Sequence, residues 1–283
     1  MSAAPLRRRL LRVTANERLG AYMLLKVADP DGPAPDPGQF TMLAAAERWG
    51  GGEDERPYLA RAFSLARFED GEAHYLLEDV GPGSRRLCEL KTGEGVWALG
   101  PLGRGFVPPH EGRRALLVGG GVGIAPLVIF KDALERAGAP AAPAPGSARA
   151  QGAPVKVLVG FRDRERALGA SLFGEATVAS DDGSVGHAGL VTDLLAAELE
   201  RDGHAVVYAC GPAPMLEAIR ALCERRQTPA QLALEAGMAC GFGACYGCVV
   251  PARGGGYLRV CVEGPVIDAA ELDRVDAHAG SPP

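Results

Sequence analysis

The sequence predicts a multidomain protein of mixed architecture: an antiparallel β-barrel, then a parallel-sheet α/β domain, then a small domain built around cysteines. Residues 1–108 hold short alternating segments separated by glycine and proline turns. Residues 109–228 alternate strand and helix patterns, and residues 229–283 carry a dense cysteine motif. Short strands with frequent turns are typical of small barrels. Strand–helix alternation is typical of a parallel sheet covered by helices on both faces.

Composition excludes several classes of protein. The 283-residue chain is 47% hydrophobic and 23% charged, with a formal net charge of −5. No basic stripe interleaves with aromatic residues, so we expect no nucleic-acid partner. The apolar run near the start is broken by Arg12, and no apolar run is long enough to span a bilayer. These features predict a cytoplasmic protein without membrane contact. Because thiols stay reduced there, clustered cysteines favour a metal site or catalysis.

The nine residues "CGFGACYGC" begin the cysteine motif. With one further cysteine the spacing is C-x4-C-x2-C-x12-C, formed by Cys240, Cys245, Cys248 and Cys261. This order fits the plant-type ligand pattern of a [2Fe–2S] cluster, and the glycine-rich gaps let the backbone approach the sulfurs. Structural zinc, a thioredoxin-like C-x-x-C pair and a glycine-rich core turn are the alternatives.

The α/β region contains two turns of small residues, each between a strand and a helix. "LLVGGGVGIAPL" (116–127) matches the G-x-G-x-x-G nucleotide fingerprint imperfectly, because Pro126 stands at the sixth position. "VVYACGPAPML" has the same strand–turn–helix pattern. Such turns bind phosphates at the carboxyl edge of a parallel sheet, and an ordinary tight turn is the alternative. The predicted NAD-binding residues of the two turns are Gly120, Gly121, Gly123, Cys210, Gly211 and Pro212.

A third strand of this region, "ATVAS", ends at Asp181 and Asp182. A carboxylate there could accept hydrogen bonds from a ribose hydroxyl and would repel a 2′-phosphate, which favours NAD over NADP. The alternative interpretation of either residue is a turn or helix cap.

The two kinds of site together imply a flavin. A nicotinamide exchanges two electrons at once and an iron–sulfur cluster exchanges one, and a flavin is the usual cofactor that does both. The barrel offers two candidate segments for it. "RAFS" (61–64) lies on a predicted strand, and "VGPGSRRL" (80–87) follows a strand and opens a helix.

These motifs resemble those of the ferredoxin–NADP reductase superfamily: R-x-[YF]-S, G-x-G-[ST] before a helix, a glycine-rich nicotinamide turn and C-G-P. The resemblance implies that Arg61 contacts the FAD pyrophosphate and that Ser64 lies beside the reactive edge of the flavin. It also places Cys210 near the nicotinamide, so Ser64 and Cys210 are the predicted catalytic residues. The FAD-binding residues that it implies are Arg61, Ala62, Phe63, Ser64, Leu76, Leu77, Glu78, Gly83 and Ser84.

The domain order and the C-terminal motif are similar to those of electron-transfer subunits of type B dihydroorotate dehydrogenases. The chain departs from them by an insertion at 137–154, a loop at 47–57 and an alanine-rich tail. The resemblance implies an FMN-containing catalytic partner subunit that oxidises dihydroorotate, in a heterotetramer with two copies of each subunit. Electrons would pass from it through [2Fe–2S] and FAD to NAD⁺. The alternatives are the same module in another complex (a ferredoxin:NADP reductase, a sulfide dehydrogenase or an oxygenase) and a zinc-stabilised binding module.

Overall fold

The structure, a computed structural model, describes residues 7–50, 56–110, 113–138, 155–201 and 203–275. Most of the predicted insertion (139–154), the middle of the predicted 47–57 loop and the end of the alanine-rich tail lie outside the described residues.

Six antiparallel strands close into a barrel in the order β1-β2-β5-β4-β3-β6, which confirms the predicted N-terminal architecture. The strands are β1 (Arg8–Leu19), β2 (Tyr22–Ala28), β3 (Phe40–Ala45), β4 (Arg61–Glu69), β5 (Glu72–Glu78) and β6 (Gly95–Leu102). Alternate residues of β6 are buried, as expected for a strand with one face towards the barrel core. A short helix, α1 (Pro82–Cys88), follows β5 directly.

A seven-stranded sheet forms the second layer of the molecule, in the order β10-β9-β8-β7-β11-β12-β15. Every residue of the central strand β11 is buried, which is typical of a parallel sheet covered on both faces. The strands are β7 (Arg114–Gly120), β8 (Val155–Phe161), β9 (Thr177–Ser180), β10 (His187–Ala188), β11 (Ala205–Cys210), β12 (Ala230–Ala233) and β15 (Val266–Asp268). The long helices are α2 (Ala125–Gly138), α4 (Val191–Arg201) and α5 (Ala213–Arg226).

The sequence pattern "ERALGASLFGE" (165–175) predicts one continuous helix, and this prediction is wrong in length. The structure has a four-residue helix, α3 (Arg164–Ala167), followed by a 3-10 turn over Leu168–Phe173. Glycine weakens a helix at position 169, and the segment is tightly packed there, since a β-carbon at Gly169 would lie 3.0 Å from Ile124 Cδ1 and 3.1 Å from the Tyr22 ring. Neighbouring elements therefore press on this segment where a regular helix would carry side chains.

The C-terminal region has more regular structure than its sequence predicts. Strand β12 pairs in parallel with β11, and β15 pairs antiparallel with β12, so the sheet continues past the boundary predicted at residue 228. In the sequence between β12 and β15, the chain forms a small separate hairpin of β13 (Val249–Pro251) and β14 (Tyr257–Arg259). The cysteine loop is therefore anchored to the sheet on both sides. Within the described residues, no helix is long and apolar enough to cross a membrane.

Candidate functional site

A cavity of about 560 Å³ lies where the barrel, the parallel sheet and the C-terminal segment meet. Its volume is within the range of about 300–1,000 Å³ that is usual for cofactor pockets. Ten of the predicted cofactor residues line it: Arg61, Ala62, Phe63, Ser64, Leu76, Glu78, Gly83, Ser84, Gly123 and Cys210. The fold thus brings together segments that are far apart in the sequence.

Arg61 and Gly83 form one wall of the cavity together. A β-carbon at Gly83 would lie 2.7 Å from Arg61 Nε, so only glycine leaves room for this guanidinium. Arg61 also donates a 2.6 Å hydrogen bond to the Leu59 carbonyl, which holds its side chain along the start of β4. The result is a cationic wall beside exposed backbone, which suits a phosphate group.

Ser84 stabilises the turn that leads into α1. Its hydroxyl accepts a 3.0 Å hydrogen bond from the Val80 N–H and donates one of 3.1 Å to the Gly81 carbonyl. The hydroxyl therefore shapes the Val80–Ser84 turn, and this turn presents its backbone to the cavity.

The two glycine turns of the sheet approach each other without intervening side chains. A β-carbon at Gly123 would lie 2.7 Å from the Cα and N atoms of Gly211. A β-carbon at Gly120 would meet Met215 Sδ at 2.5 Å and Pro212 Cδ at 3.1 Å. The carboxyl ends of β7 and β11 thus share one surface, the location at which open α/β sheets bind ligands.

Cys210 is a buried, neutral contact at the cavity wall. Burial, together with the negative charge of Glu235, raises the pKa of its thiol well above the usual range. A thiol with a raised pKa is a poor nucleophile. The chemistry of this wall is therefore positioning rather than covalent catalysis.

The sequence analysis missed Glu235, which lines the same cavity at the end of β12. Glu235 is accessible to solvent through the cavity, and protein atoms surround it on most sides. Burial and the charge of Glu78 raise the pKa of its carboxyl group. The available signal was its position at the carboxyl end of a sheet strand, but "AQLALE" is too short to have been assigned to the parallel sheet.

Several predicted residues do not line this cavity: Leu77, Gly120, Gly121, Asp181, Gly211 and Pro212. Leu77 is fully buried in the barrel core, because strand alternation turns Leu76 and Glu78 towards the cavity and Leu77 away. The glycine and proline residues lie in or beside the two turns described above. Asp181 is more distant, since it follows β9, two strands from β7 in the sheet.

The two neighbouring aspartates play different roles. The Asp182 carboxylate accepts a 2.9 Å hydrogen bond from the Ser184 N–H, and hydrogen bonds from Ser184 lower the pKa of Asp182. Asp182 therefore closes the turn, which is the alternative interpretation for this residue. Asp181 is exposed, and its carboxylate forms no hydrogen bond with the described residues. It remains the candidate for a ribose contact.

The four motif cysteines lie on one loop system with N–H groups directed at their sulfurs. The Gly247 N–H is 3.5 Å from Cys245 Sγ, and the Cys261 N–H is 3.4 Å from Cys248 Sγ. Burial would raise the pKa of Cys240, but N–H groups of the loop and the Cys245 thiol lower it to about 6. Burial and the neighbouring Cys248 thiol raise the pKa of Cys261 to about 12.

Glycines fit this loop against the rest of the molecule. Gly241 has φ +80°, and a β-carbon there would lie 2.6 Å from Met42 Cγ on β3. Gly243 has φ +86°, and a β-carbon there would lie 2.7 Å from Val262 Cγ2. The loop therefore packs against the barrel, beside the cavity.

Across the described ranges, no group of three or more His, Cys, Asp or Glu side chains has the geometry of a single-metal site. The motif thiols interact with one another through hydrogen bonds and charge, but they do not surround a position that a single ion could occupy. Four thiols with backbone N–H donors are the donor set that an iron–sulfur cluster requires.

A second cavity of about 100 Å³ adjoins the first at Pro82. Four arginines line it together with Glu89 and Pro57: Arg48, Arg56, Arg85 and Arg86. Arg86 is buried and is held by Glu94 Oε1 at 2.9 Å. The concentration of guanidinium groups favours an anion on this side of the Val80–Ser84 turn.

Comparisons with known proteins follow the same division of the chain. Residues 235–273 match a family model described as the iron–sulfur cluster binding domain of dihydroorotate dehydrogenase B. A relative from Caldanaerobacter subterraneus subsp. tengcongensis is 34% identical and covers 92% of this chain and 96% of its own. One from Bacillus caldolyticus is 40% identical and covers 83% and 86%. Both are named as the electron transfer subunit of dihydroorotate dehydrogenase B (NAD(+)).

Solved structures share the fold at low sequence identity. An NADH-dependent reduced ferredoxin-NADP oxidoreductase, described for flavin-based electron bifurcation, has a TM-score of 0.75 at 22% identity and covers 97% of this chain and 92% of that one. The ferredoxin reductase in carbazole 1,9a-dioxygenase has a TM-score of 0.63 at 23% identity and covers 80% and 67%. These likenesses support the predicted combination of barrel and parallel sheet.

Proposed function

This chain belongs to the family of dihydroorotate dehydrogenase B electron-transfer subunits, and from that premise we propose that it carries electrons between a catalytic subunit and NAD⁺. FAD and a [2Fe–2S] cluster are its cofactors in this proposal. The relatives' name implies the catalytic partner, which oxidises dihydroorotate to orotate. We further propose that the partner contains FMN, that the assembly holds two copies of each subunit, and that it works in the cytoplasm.

The cavity at the meeting of the three regions is the observation that carries this proposal. Its wall combines Arg61–Ser64 of the barrel, Gly123 and Cys210 of the sheet turns, and Met238, two residues before Cys240. A cofactor in this cavity would therefore contact the nicotinamide side and the cysteine side of the molecule at once. Such a location suits a carrier that exchanges electrons with both.

The cavity residues fit FAD. Arg61 and the Val80–Ser84 turn would hold the pyrophosphate, and the backbone of Leu76–Glu78 would lie along the cofactor. Ser64, whose hydroxyl forms no hydrogen bond with the described residues, would face the flavin ring. Bound FAD supplies both one-electron and two-electron chemistry. The chain's contribution is to orient the cofactor and to shield it from water.

We expect Gly83→Ala to lower FAD affinity about tenfold, because the new methyl group displaces the Arg61 guanidinium from its charge-assisted contact. The obstruction is the side chain of Arg61, with its Nε atom 2.7 Å from the added carbon, so the fold itself should tolerate the change. Fluorescence titration of the apoprotein with FAD measures the effect. The unfolding temperature without FAD is the control and should not change. An unaltered FAD affinity would contradict the proposed role of Arg61.

The nicotinamide would lie against the two glycine turns, beside Cys210 of the second turn and Glu235. Asp181 would accept hydrogen bonds from the adenosine ribose and repel a 2′-phosphate. We expect wild-type protein to prefer NADH strongly over NADPH. Asp181→Ser should reduce the ratio of kcat/KM for NADH to kcat/KM for NADPH by at least about tenfold. The reason is that the Asp181 carboxylate next to the 2′-phosphate of NADPH would cost several kcal/mol.

Asp182→Asn is the matched control for this prediction, because the Asp182 carboxylate already accepts the Ser184 N–H at 2.9 Å. It should retain the preference for NADH. Equal wild-type rates with the two nucleotides would refute the argument from Asp181.

The cysteine loop fits a [2Fe–2S] cluster, which supplies one-electron transfer. Cys240, Cys245, Cys248 and Cys261 would be its ligands. The backbone N–H groups directed at the sulfurs of Cys240, Cys245 and Cys248 would stabilise the negative charge on those sulfurs.

We also propose that the exposed aromatic residues of this loop meet the catalytic partner. Phe242 is 50% exposed and Tyr246 is 63% exposed. Tyr246 has φ +58°, unusual for a bulky residue, and its ring lies 5.3 Å from Arg259 Cζ. Arg259 is itself bound to Glu263 at 2.6 Å, so the tyrosine is held in place before any partner arrives. Exposed aromatic anchors of this kind often dominate an interface.

Phe242→Asp combined with Tyr246→Asp should weaken assembly with the partner by more than about 30-fold, which is the effect of losing a single interface hot spot of about 2 kcal/mol. Analytical ultracentrifugation of the mixed subunits measures it. Leu10→Asp, at a 53% exposed position on the barrel, is the control and should leave assembly intact. Equal affinity of the double variant and wild type would place the interface elsewhere.

Cofactor analysis tests the proposed function directly. Protein purified under anaerobic conditions should be yellow-brown and contain one FAD and about two irons per chain. It should also oxidise NADH with ferricyanide as electron acceptor. Stoichiometric zinc without iron would contradict the proposal and favour a zinc-stabilised binding module.

A further inference from the structure

One arginine outside the cavity contacts a residue that lines it. Arg166 of α3 donates from Nε to Glu78 Oε1 at 2.9 Å, and its second terminal nitrogen lies 2.8 Å from the same oxygen. Glu78 is the last residue of β5 and lines the cavity, whereas Arg166 does not. The pair joins the barrel to the parallel-sheet region across 88 residues of sequence.

Arg166 is itself held in place. Asp163 accepts a 2.9 Å hydrogen bond from the Arg166 backbone N–H and a 2.6 Å hydrogen bond from its guanidinium. The guanidinium is thus fixed between Asp163, the N-cap of its own helix, and Glu78 on the barrel. Arg166 and Glu78 are partly buried, with side-chain exposures of 29% and 20%, so the pair is less screened than a fully exposed pair.

The orientation of the Glu78 carboxylate matters because a second carboxylate, that of Glu235, lines the same cavity. The two carboxylates line one cavity and interact electrostatically, and Glu235 has no cationic partner among the described residues. Two carboxylates in one cavity repel each other, and a cation beside one of them offsets part of that repulsion. Arg166 is the cation in contact with Glu78, and it draws the carboxylate towards α3.

We propose that Arg166 is a positioning residue, which fixes the Glu78 carboxylate at the cavity wall and so sets the geometry of both cofactor sites. The inference rests on the proposed function, because it assumes that this cavity binds FAD beside the nicotinamide. Its effect on FAD and NADH acts through Glu78, since Arg166 itself does not line the cavity.

A second ion pair between the same two regions provides a matched control. Arg67 of β4 contacts Asp132 of α2 at 3.1 Å and donates to the Leu172 carbonyl at 2.8 Å. Neither Arg67 nor Asp132 lines the cavity. We expect loss of this pair to weaken the contact between barrel and sheet without breaking a contact of a cavity residue, so its effect on stability serves as the structural control.

The experiment compares Arg166→Met, Arg166→Lys and Arg67→Met in the full chain. Three quantities are measured: the dissociation constant of FAD from the apoprotein, kcat and KM for NADH with ferricyanide at saturating FAD, and the unfolding temperature. Arg166→Met should weaken FAD binding about tenfold and raise the KM for NADH, because misplaced cavity groups are costly. Arg166→Lys should recover part of the loss. Arg67→Met should lower the unfolding temperature alone.

Glu78→Gln keeps the proposal testable if Arg166→Met fails to fold, since it leaves α3 and Asp163 unchanged. It should weaken FAD binding, and adding Arg166→Lys to it should have little further effect, because both changes break the same link. Equal FAD affinity and NADH kinetics in the Arg166 and Arg67 variants would overturn the proposal. If the wild-type protein itself fails to bind FAD, the proposed function fails instead.

Discussion

Cys245→Ser is expected to abolish the iron–sulfur absorbance. It should also reduce dihydroorotate-dependent NAD⁺ reduction by the assembled complex by more than about 100-fold, because loss of a ligand costs more than loss of a residue that hydrogen-bonds to a ligand. Cys245 is exposed, whereas Cys248 and Cys261 are buried, so serine should be tolerated there by the fold. NADH oxidation with ferricyanide should remain within about threefold of wild type, because the FAD and nicotinamide contacts are untouched. Iron analysis and the two assays measure these effects.

Cys88→Ser is the control for this variant. Cys88 is half-buried at the end of α1, outside the cysteine loop, so we expect it to have no role in cluster binding. It should retain the cluster and both activities. If Cys245→Ser loses NADH oxidation to the same degree while remaining folded, the separation of cluster and hydride roles is wrong.

Gly123→Ala is expected to raise the KM for NADH by on the order of tenfold and to lower the free energy of unfolding by about 1–3 kcal/mol. The added β-carbon would lie 2.7 Å from the backbone of Gly211, and backbone cannot rotate away as a side chain can. The two glycine turns must therefore separate, which moves the surface proposed to bind the nicotinamide. Steady-state kinetics and chemical denaturation measure the two effects.

Gly203→Ala is the control in the loop before β11, at the other edge of the same sheet, because a β-carbon there would meet nothing within 4 Å. Its kinetics should equal those of wild type. If Gly123→Ala binds NADH normally despite lower stability, the two turns serve packing and the nicotinamide lies elsewhere.

The features that the sequence predicts well are those carried by local spacing. The four-cysteine motif, the glycine turns around Gly123 and Gly211, and the alternation of the barrel strands need only neighbouring residues to be recognised. The comparisons and the topology confirm the fold that these patterns predict. The predicted site residues that line the cavity come from the same short motifs.

The features that the sequence misses depend on tertiary contacts. Glu235 gains its position because the short strand β12 joins the sheet, and nothing in four residues distinguishes that strand from a loop. The Arg166–Glu78 pair joins residues that the chain separates by 88 positions. The helix predicted at 165–175 is shorter in the structure, where Gly169 packs closely against Tyr22 and Ile124, which belong to other elements. Spacing along the chain carries no information about such contacts.

Reconstitution with the catalytic subunit tests the central claim most directly. The measurement is the formation of NADH from dihydroorotate and NAD⁺, with the catalytic subunit alone and with this chain added at equal concentration. We predict that NADH forms only when both subunits are present and that its rate saturates as the complex assembles. Equal NADH formation by the catalytic subunit alone, or none from a complex that contains its full iron and FAD, would contradict the account.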